Sequence, residues 1–315
     1  MLNSRHTSLA ITAAIALILP AILPNDFYLD LAIRMAMNAV VVLALNMLIG
    51  QAGQISMGHV GFIGIGAYAS AVLPVHFGVS PWLAILLGAF GSAALAAVVA
   101  RPIFRLKGHY LAMATLGLGI MIDIALRNQS ALTGGPDGMS VPALSLAGHV
   151  LASERTWYWT SVALLLVALW VSLNLIDSPF GRALRALHGS EVAAQVMGID
   201  VPRHKSVVFI ISAVVASVMG SAYAVYVGFI TPSVADFMRS IEFITMVVVG
   251  GMASVYGSLI GAIVLTALPD ALTKLEGGST VVFGTLLIVC MIYLPRGIVP
   301  TLAARLRRSF RNESA

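Results

Sequence analysis

Charged residues are scarce in this chain. Asp, Glu, Lys and Arg together make up only 10% of its 315 residues, whereas 59% are hydrophobic. A soluble domain carries about 25% charged residues, and the mean hydropathy of +0.96 points the same way. Most of the chain must therefore lie in lipid. Cysteine is also nearly absent. Cys290 is the single cysteine of the sequence, so a disulfide within the chain is excluded.

Residue patterns for catalysis, metal binding and nucleotide binding are missing as well. The three lysines, Lys107, Lys205 and Lys274, do not end a glycine-rich phosphate-binding loop. The seven histidines show no metal-ligand spacing, and no nucleophile stands in a recognisable pattern with a general base. We therefore expect no enzyme activity, no metal and no cofactor in this chain. A membrane-embedded enzyme is disfavoured, and energy for any transport must come from a partner.

Few charges fall within the apolar runs. Arg34, Asp123 and Glu242 do, and each lies nearer the end of its run than the middle. Ionisable residues inside a membrane are functional candidates by default, but these positions favour interfacial charges or local ion pairs. An ion-coupled secondary transporter would be expected to bury a carboxylate at mid-span, and no convincing one is found. An ion-coupled transporter remains an alternative, and transport driven by an ion gradient without ATP would favour it.

Long apolar runs, in contrast, are abundant, and most are near the roughly 20 residues that a spanning helix needs. They cover residues 9–23, 31–49, 59–75, 81–100, 110–126, 157–176, 206–230, 240–268 and 281–295. The sequence thus predicts an all-α, polytopic membrane protein with about 9–10 transmembrane segments. We interpret the first run as a retained helix rather than a signal peptide, because prolines close it and no small-residue cleavage site follows.

The basic residues predict the orientation. Most of them cluster at the amino terminus, after the fourth run, after the sixth run and in the tail at 296–315. By the positive-inside rule these segments are cytoplasmic, and so are both termini. The positive net charge of +5 therefore reflects orientation and lipid contact, and we expect no nucleic-acid partner.

The run at 240–268 has an unusual length. Nine single crossings that start inside would leave the basic tail outside, and this run is too long for one span and too short for two full ones. Gly250, Gly251 and Gly257 interrupt it. Two short crossings or a re-entrant pair of half-helices would restore the parity. Because broken backbone at membrane depth is tolerated only inside protein or around a cavity, the run indicates a pathway.

An earlier segment, 50–73, resembles this interrupted run. In both, a Gly-x-x-Ser sequence is followed by spaced glycines, which indicates inverted repeats with halves at about 28–127 and 157–295. Close helix packing explains the same glycines equally well, so the two interpretations stay open. The candidate path residues are Ser56, Gly58, His59 and Gly61 in the first half and Ser254 and Gly257 in the second.

The segment 178–205 is polar in an otherwise apolar chain. Ser178-Pro179 predicts the start of a helix that ends at Gly189, with Arg182 and Arg185 on its polar face. Ser190 and Glu191 favour the start of a second, short helix that ends at Gly198. A helix of about seven residues is not stable alone. We therefore expect it to be ordered by docking, and to present Ala193, Ala194 and Met197.

The Glu-x-Ala-Ala-x-x-x-Gly pattern at 191–198 resembles the EAA-type loop of ABC importer permeases, although the glutamate stands one position earlier than in the strict form. The blocks at 45–73, 106–119, 132–139, 178–232, 240–262 and 294–298 resemble the LivM-type permease of branched-chain amino acid ABC transporters.

The resemblance implies a single transmembrane permease domain over 1–315, in a multi-pass protein of the bacterial inner membrane. Its loop at 178–205 would couple to ATPase subunits through Arg182, Arg185, Glu191, Ala193, Ala194, Met197 and Gly198. The implied partners are a LivH-type second permease, two ATPases that bind the ATP, and a periplasmic binding protein that docks at 127–156 and 229–240. Branched-chain or related small amino acids are the implied substrates, with urea or short amides as the alternative.

Overall fold

The structure is a computed structural model, and it describes residues 2–22, 25–106, 108–146, 149–150, 153–272, 284–285, 288 and 297–301. Most of the last predicted span, 281–295, and most of the basic tail lie outside these residues. The helices are α1 (Leu2–Ile22), α2 (Asp26–Asn46), α3 (His59–Phe77), α4 (Pro81–Ile103), α5 (His109–Asn128), α6 (Ser130–Thr133), α7 (Glu154–Asp177), α8 (Pro179–Gly189), α9 (Glu191–Val196), α10 (Val201–Val227), α11 (Phe237–Gly250) and α12 (Val255–Leu272).

The predicted all-α, polytopic architecture is confirmed. Within the described part of the chain, six helices are long and apolar enough to cross a membrane, namely α2, α3, α4, α5, α7 and α10. Shorter apolar helices cover Thr7–Pro20 and Val255–Ala271. The run at 240–268 is divided as its glycines predicted, into α11 and α12 on either side of a break at 251–254. At 1.5 Å per residue, the 14 residues of α11 extend only about 21 Å.

Burial separates an inner set of helices from an outer set. The most apolar window is 72% buried in α2, 61% in α10 and 56% in α3, against 22–28% in α4, α5 and α7. Small residues bring the inner helices together, because a methyl group at Gly66 would overlap the backbone of Ser217, and one at Gly220 would overlap that of Ile63. The apolar faces left on the outer helices are available to lipid or to another membrane subunit.

The ends of the bundle carry different structures. At one end, β1 (Met139–Ser140) pairs antiparallel with β4 (Phe229–Ile230), with Met139 opposite Ile230. A second pair joins β2 (Ser145–Leu146) to β3 (His149–Val150). At the other end lie α8 and α9, and there Arg101 of α4 and Arg203 of α10 line one shallow groove.

Two interruptions break the helical backbone. The first follows α2, which continues as a π-helix over Met47–Gln51 before an irregular stretch leads into α3. The second is the 251–254 break between α11 and α12, where Ala253 has a positive φ of 66°. Both coincide with the glycine-rich segments that the sequence singled out.

Candidate functional site

Helix α8 forms as its sequence predicts. The Ser178 side chain caps it by accepting from the Gly181 amide at 3.1 Å, and Leu184 and Leu187 are buried beneath it. Arg182 and Arg185 lie on the exposed face, where each guanidinium donates to a backbone carbonyl at the end of α7, at 2.8 Å. These two arginines therefore help to fix the α7–α8 corner. Their predicted contact with an ATPase stays a prediction.

Helix α9 also begins and ends where predicted. Ser190 accepts from the Ala193 amide at 3.3 Å, and Gly198 takes a left-handed φ of 84° beyond the last turn. Of the three residues expected on its presented face, Ala193 and Met197 are exposed as predicted, and one is not. Ala194 is only 3% exposed and packs inward, so the expectation that it would be presented is wrong. The outward face consists of larger apolar residues, with Val192 68%, Val196 83% and Met197 82% exposed.

A buried ion pair attaches α9 to α10. The Lys205 ammonium donates to a Glu191 carboxylate oxygen at 2.5 Å, and the lysine side chain is 2% exposed against 31% for the glutamate. The sequence placed Glu191 at the helix amino terminus as a partner for the helix dipole. It did not indicate Lys205, because this lysine stands between His204 and Ser206 in a polar stretch that gives no sign of burial.

The first-half path candidates lie within close helix contacts. A methyl group at Gly58 would overlap the carbonyl of Thr115, and one at Gly61 would come within 2.8 Å of the Ile122 side chain, so α3 packs directly on α5 there. His59 is buried and bridges two hydroxyls, with Nδ1 3.2 Å from Ser56 Oγ and Nε2 2.6 Å from the Oγ of a serine on α10.

The second-half candidates are placed in the same way. Ser254 Oγ accepts from the Gly257 amide at 3.0 Å and so caps α12. Gly257 faces Gly250 across the α11–α12 contact, where an added Cβ would lie 2.6 Å from the Gly250 carbonyl oxygen. The glycines in both halves therefore serve helix packing. Their predicted role along a path stays a prediction.

The two interruptions meet each other through residues that the sequence did not single out. The buried Asn46 amide accepts from the Ala253 backbone nitrogen at 2.9 Å and donates to the Ser254 carbonyl at 3.1 Å. Gln51 donates to the Ala253 carbonyl at 2.8 Å, and a methyl group at Gly50 would overlap the Ala253 nitrogen. Polar side chains of the first break thus hold the backbone of the second. The signal in the sequence was the presence of two amide side chains, Asn46 and Gln51, near the end of the second apolar run.

Two of the three charges within the runs, Arg34 and Asp123, form ion pairs, as the sequence favoured. Arg34 lies 2.9 Å from Asp30 and 3.4 Å from Asp270. Arg127 lies 2.9 Å from Asp123 one turn earlier. Glu242 lines a cavity near the start of α11. Among the described residues, no group of three or more His, Cys, Asp or Glu side chains could hold a metal ion.

Comparison with known proteins places these features in a family. The model of a family described as branched-chain amino acid transport system, permease component, matches residues 27–294. The high-affinity branched-chain amino acid transport system permease protein LivM of Salmonella typhimurium is 32% identical over 302 aligned residues, which cover 88% of this chain and 71% of that protein. LivM of Escherichia coli aligns with the same identity and coverage. The permease protein LivH of Salmonella typhimurium is 26% identical over 285 residues, with 83% of this chain and 90% of that protein covered.

Proposed function

The chain belongs to the family of branched-chain amino acid transport system permease components, and from this membership we propose that it is one permease subunit of an ABC importer in the inner membrane. It translocates branched-chain amino acids. A LivH-type permease is its membrane partner, two ATPase subunits bind the ATP, and a periplasmic binding protein delivers the substrate. The likeness to both LivM and LivH supports the pairing of two related permeases.

The outward face of α9 is the observation that carries the coupling role. Val192, Val196 and Met197 form an apolar surface at the tip of a polar loop, and such a surface is typical of a contact with another protein. The helix is too short to be stable alone, but the Glu191–Lys205 ion pair and the buried Ala194 hold it against the bundle. Because α9 is held rigidly against α10, movement of an ATPase subunit bound to its apolar face can be transmitted to α10.

The charges support one orientation. Arg101 and Arg203 lie together at the end that carries α8 and α9, and by the positive-inside rule such a cluster supports a cytoplasmic location for that end. The basic residues near both termini of the sequence support the same side for the termini. The opposite end, with the β1–β4 pair, then faces the periplasm and receives the binding protein. Position 308 of the basic tail lies outside the described residues.

Substitution of the α9 face tests the proposal. Val196→Asp and Met197→Asp each place a charge on the surface that the ATPase buries in the complex. Burial of an apolar side chain of this size contributes about 1.5–3 kcal/mol to the free energy of binding, and each variant loses that contribution. We expect both variants to insert normally, to lose copurifying ATPase and to lose ATP-driven uptake. Gln195→Asp, an exposed neighbour on the same helix, is the matched control and retains both. Normal uptake by Val196→Asp, at normal expression, would contradict the coupling role of α9.

A further inference from the structure

A polar cavity of about 390 Å³ opens at the β1–β4 end of the bundle, between α10 and α11. Its volume lies within the range of about 300–1,000 Å³ that is common for small-molecule sites. Hydroxyl and charged side chains converge on it. They belong to Tyr223, Thr231, Ser233, Asp236, Arg239 and Glu242.

Arg239 is the cation of this cavity. Its guanidinium carbon lies 5.1 Å from the centre of the Tyr223 ring, so the side chain rests on an aromatic face. The described residues include no carboxylate within 4 Å of the Arg239 side chain, whereas Arg34 and Arg127 are both paired with aspartates. The donors of Arg239 are therefore available to an anion from outside the chain, and Glu242 offers a carboxylate to a cation in the same cavity.

Arg239 and Tyr223 also line a second, much smaller cavity of about 20 Å³, deeper between α2, α3, α10 and α11. Its other lining residues are apolar except for one amide, and they are Met37, Asn38, Val41, Ile63, Met219 and Phe243. The Asn38 amide donates to Thr266 on α12 at 3.0 Å. This space can hold about one water molecule and is too small for an aliphatic side chain, and Arg239 and Tyr223 stand between it and the outer cavity.

We propose that the outer cavity is a binding site for the zwitterion of the transported amino acid. Arg239 receives the α-carboxylate and Glu242 the α-ammonium, while the aliphatic side chain points towards Tyr223 and the apolar cavity beneath it. The Arg239–Tyr223 contact is the closed gate between the two cavities. The inference rests on the proposed function, and it assigns to the permease itself a share of the substrate selection.

Protection of an introduced thiol tests the site directly. Ser233→Cys, in a Cys290→Ala background, places an exposed thiol on the cavity wall, and the assembled importer complex is labelled without its binding protein. We expect millimolar L-leucine to slow labelling several-fold. Leucinamide, which lacks the carboxylate, and 4-methylpentanoate, which lacks the ammonium group, should not. Ser140→Cys, exposed at the same end but outside the cavity, should label at the same rate with all three, and Thr231→Cys is a second reporter if Ser233→Cys assembles poorly.

Removal of the cation gives the second test. Arg239→Gln should abolish the protection and lower the maximal uptake rate about tenfold or more, the factor expected for the loss of one charge-assisted hydrogen bond. Arg105→Gln, which removes an exposed cation just after α4 at the opposite end of the bundle, should change neither quantity.

The outcomes separate the two levels of inference. If L-leucine still protects the thiol in Arg239→Gln, or if all three compounds protect equally, the zwitterion site is wrong even when the wild-type complex imports leucine with ATP. If the wild-type complex imports no branched-chain amino acid with ATP, the proposed function itself fails. Protection by L-leucine alone, lost in Arg239→Gln, supports the site.

Discussion

Removal of the Glu191 charge tests how α9 is held. In Glu191→Gln, the ammonium of Lys205 stays buried, with its side chain 2% exposed, and loses its carboxylate at 2.5 Å. The loss of one partner from a fully buried pair costs about 3–5 kcal/mol. Glu191 is 31% exposed, and the glutamine can still accept a hydrogen bond, so we expect about 1–3 kcal/mol. That free energy disfavours the docked position of α9 by about 5- to 150-fold.

The assay is the number of leucine molecules imported per ATP hydrolysed by the reconstituted complex. Glu191→Gln should hydrolyse ATP with little uptake, because α9 no longer transmits the movement of the ATPase. The double variant Glu191→Gln/Lys205→Met removes the orphaned charge and should regain much of the coupling, since replacement of both partners of a buried pair is often nearly neutral. Asp200→Asn, on the same loop, removes one charge but keeps the cap on the Arg203 amide, and should behave as wild type.

Two results would refute this reasoning. Normal coupling in Glu191→Gln would mean that the ion pair does not position α9. A double variant as defective as Glu191→Gln would mean that Glu191 acts by direct contact with the ATPase rather than through Lys205.

Three further predictions concern packing and orientation. Gly61→Leu should lower the yield of folded complex, because a larger side chain meets Ile122 and overpacking costs about 1–3 kcal/mol. Gly117→Leu, with open space around it, should not lower the yield. An intact Gly61→Leu complex that hydrolyses ATP without uptake would instead favour the path interpretation of Gly61. Asn46→Leu should lower the melting temperature of the complex, because the Ala253 amide and the Ser254 carbonyl lose their hydrogen-bond partner. Each loss costs about 1–3 kcal/mol. An unchanged melting temperature would contradict the importance of that contact. In a cysteine-free background, a cysteine at position 185 should label only from the cytoplasm and one at position 136 only from the periplasm, and the reverse pattern would invert the proposed orientation.

The spans were predictable because the length of an apolar run is itself a physical constraint. A helix needs about 20 residues to cross the bilayer, and the runs that begin near 59, 81 and 110 became α3, α4 and α5 with small changes at their ends. The division of 240–268 was also predictable, since glycines at 250, 251 and 257 interrupt a run of the wrong length. The capped helices α8 and α9 followed from local rules that need no tertiary contact.

The contacts between distant segments could not be obtained in this way. Helix α9 has six residues, too few for a periodic pattern to show which side packs inward, and so Ala194 was assigned to the wrong face. The pairing of Lys205 with Glu191 depends on how α9 lies against α10. Asn46 contacts a backbone about 200 positions later in the chain, and Arg239 lies over Tyr223, which is 16 positions earlier. Only the packed bundle brings these residues together.

The most direct test of the account is leucine uptake by proteoliposomes that contain this chain with its LivH-type partner and two ATPase subunits. Uptake should require ATP on the side of α9 and a loaded binding protein on the opposite side, and should be unaffected when proton and sodium gradients are dissipated. Uptake that proceeds without ATP and follows an ion gradient would contradict it.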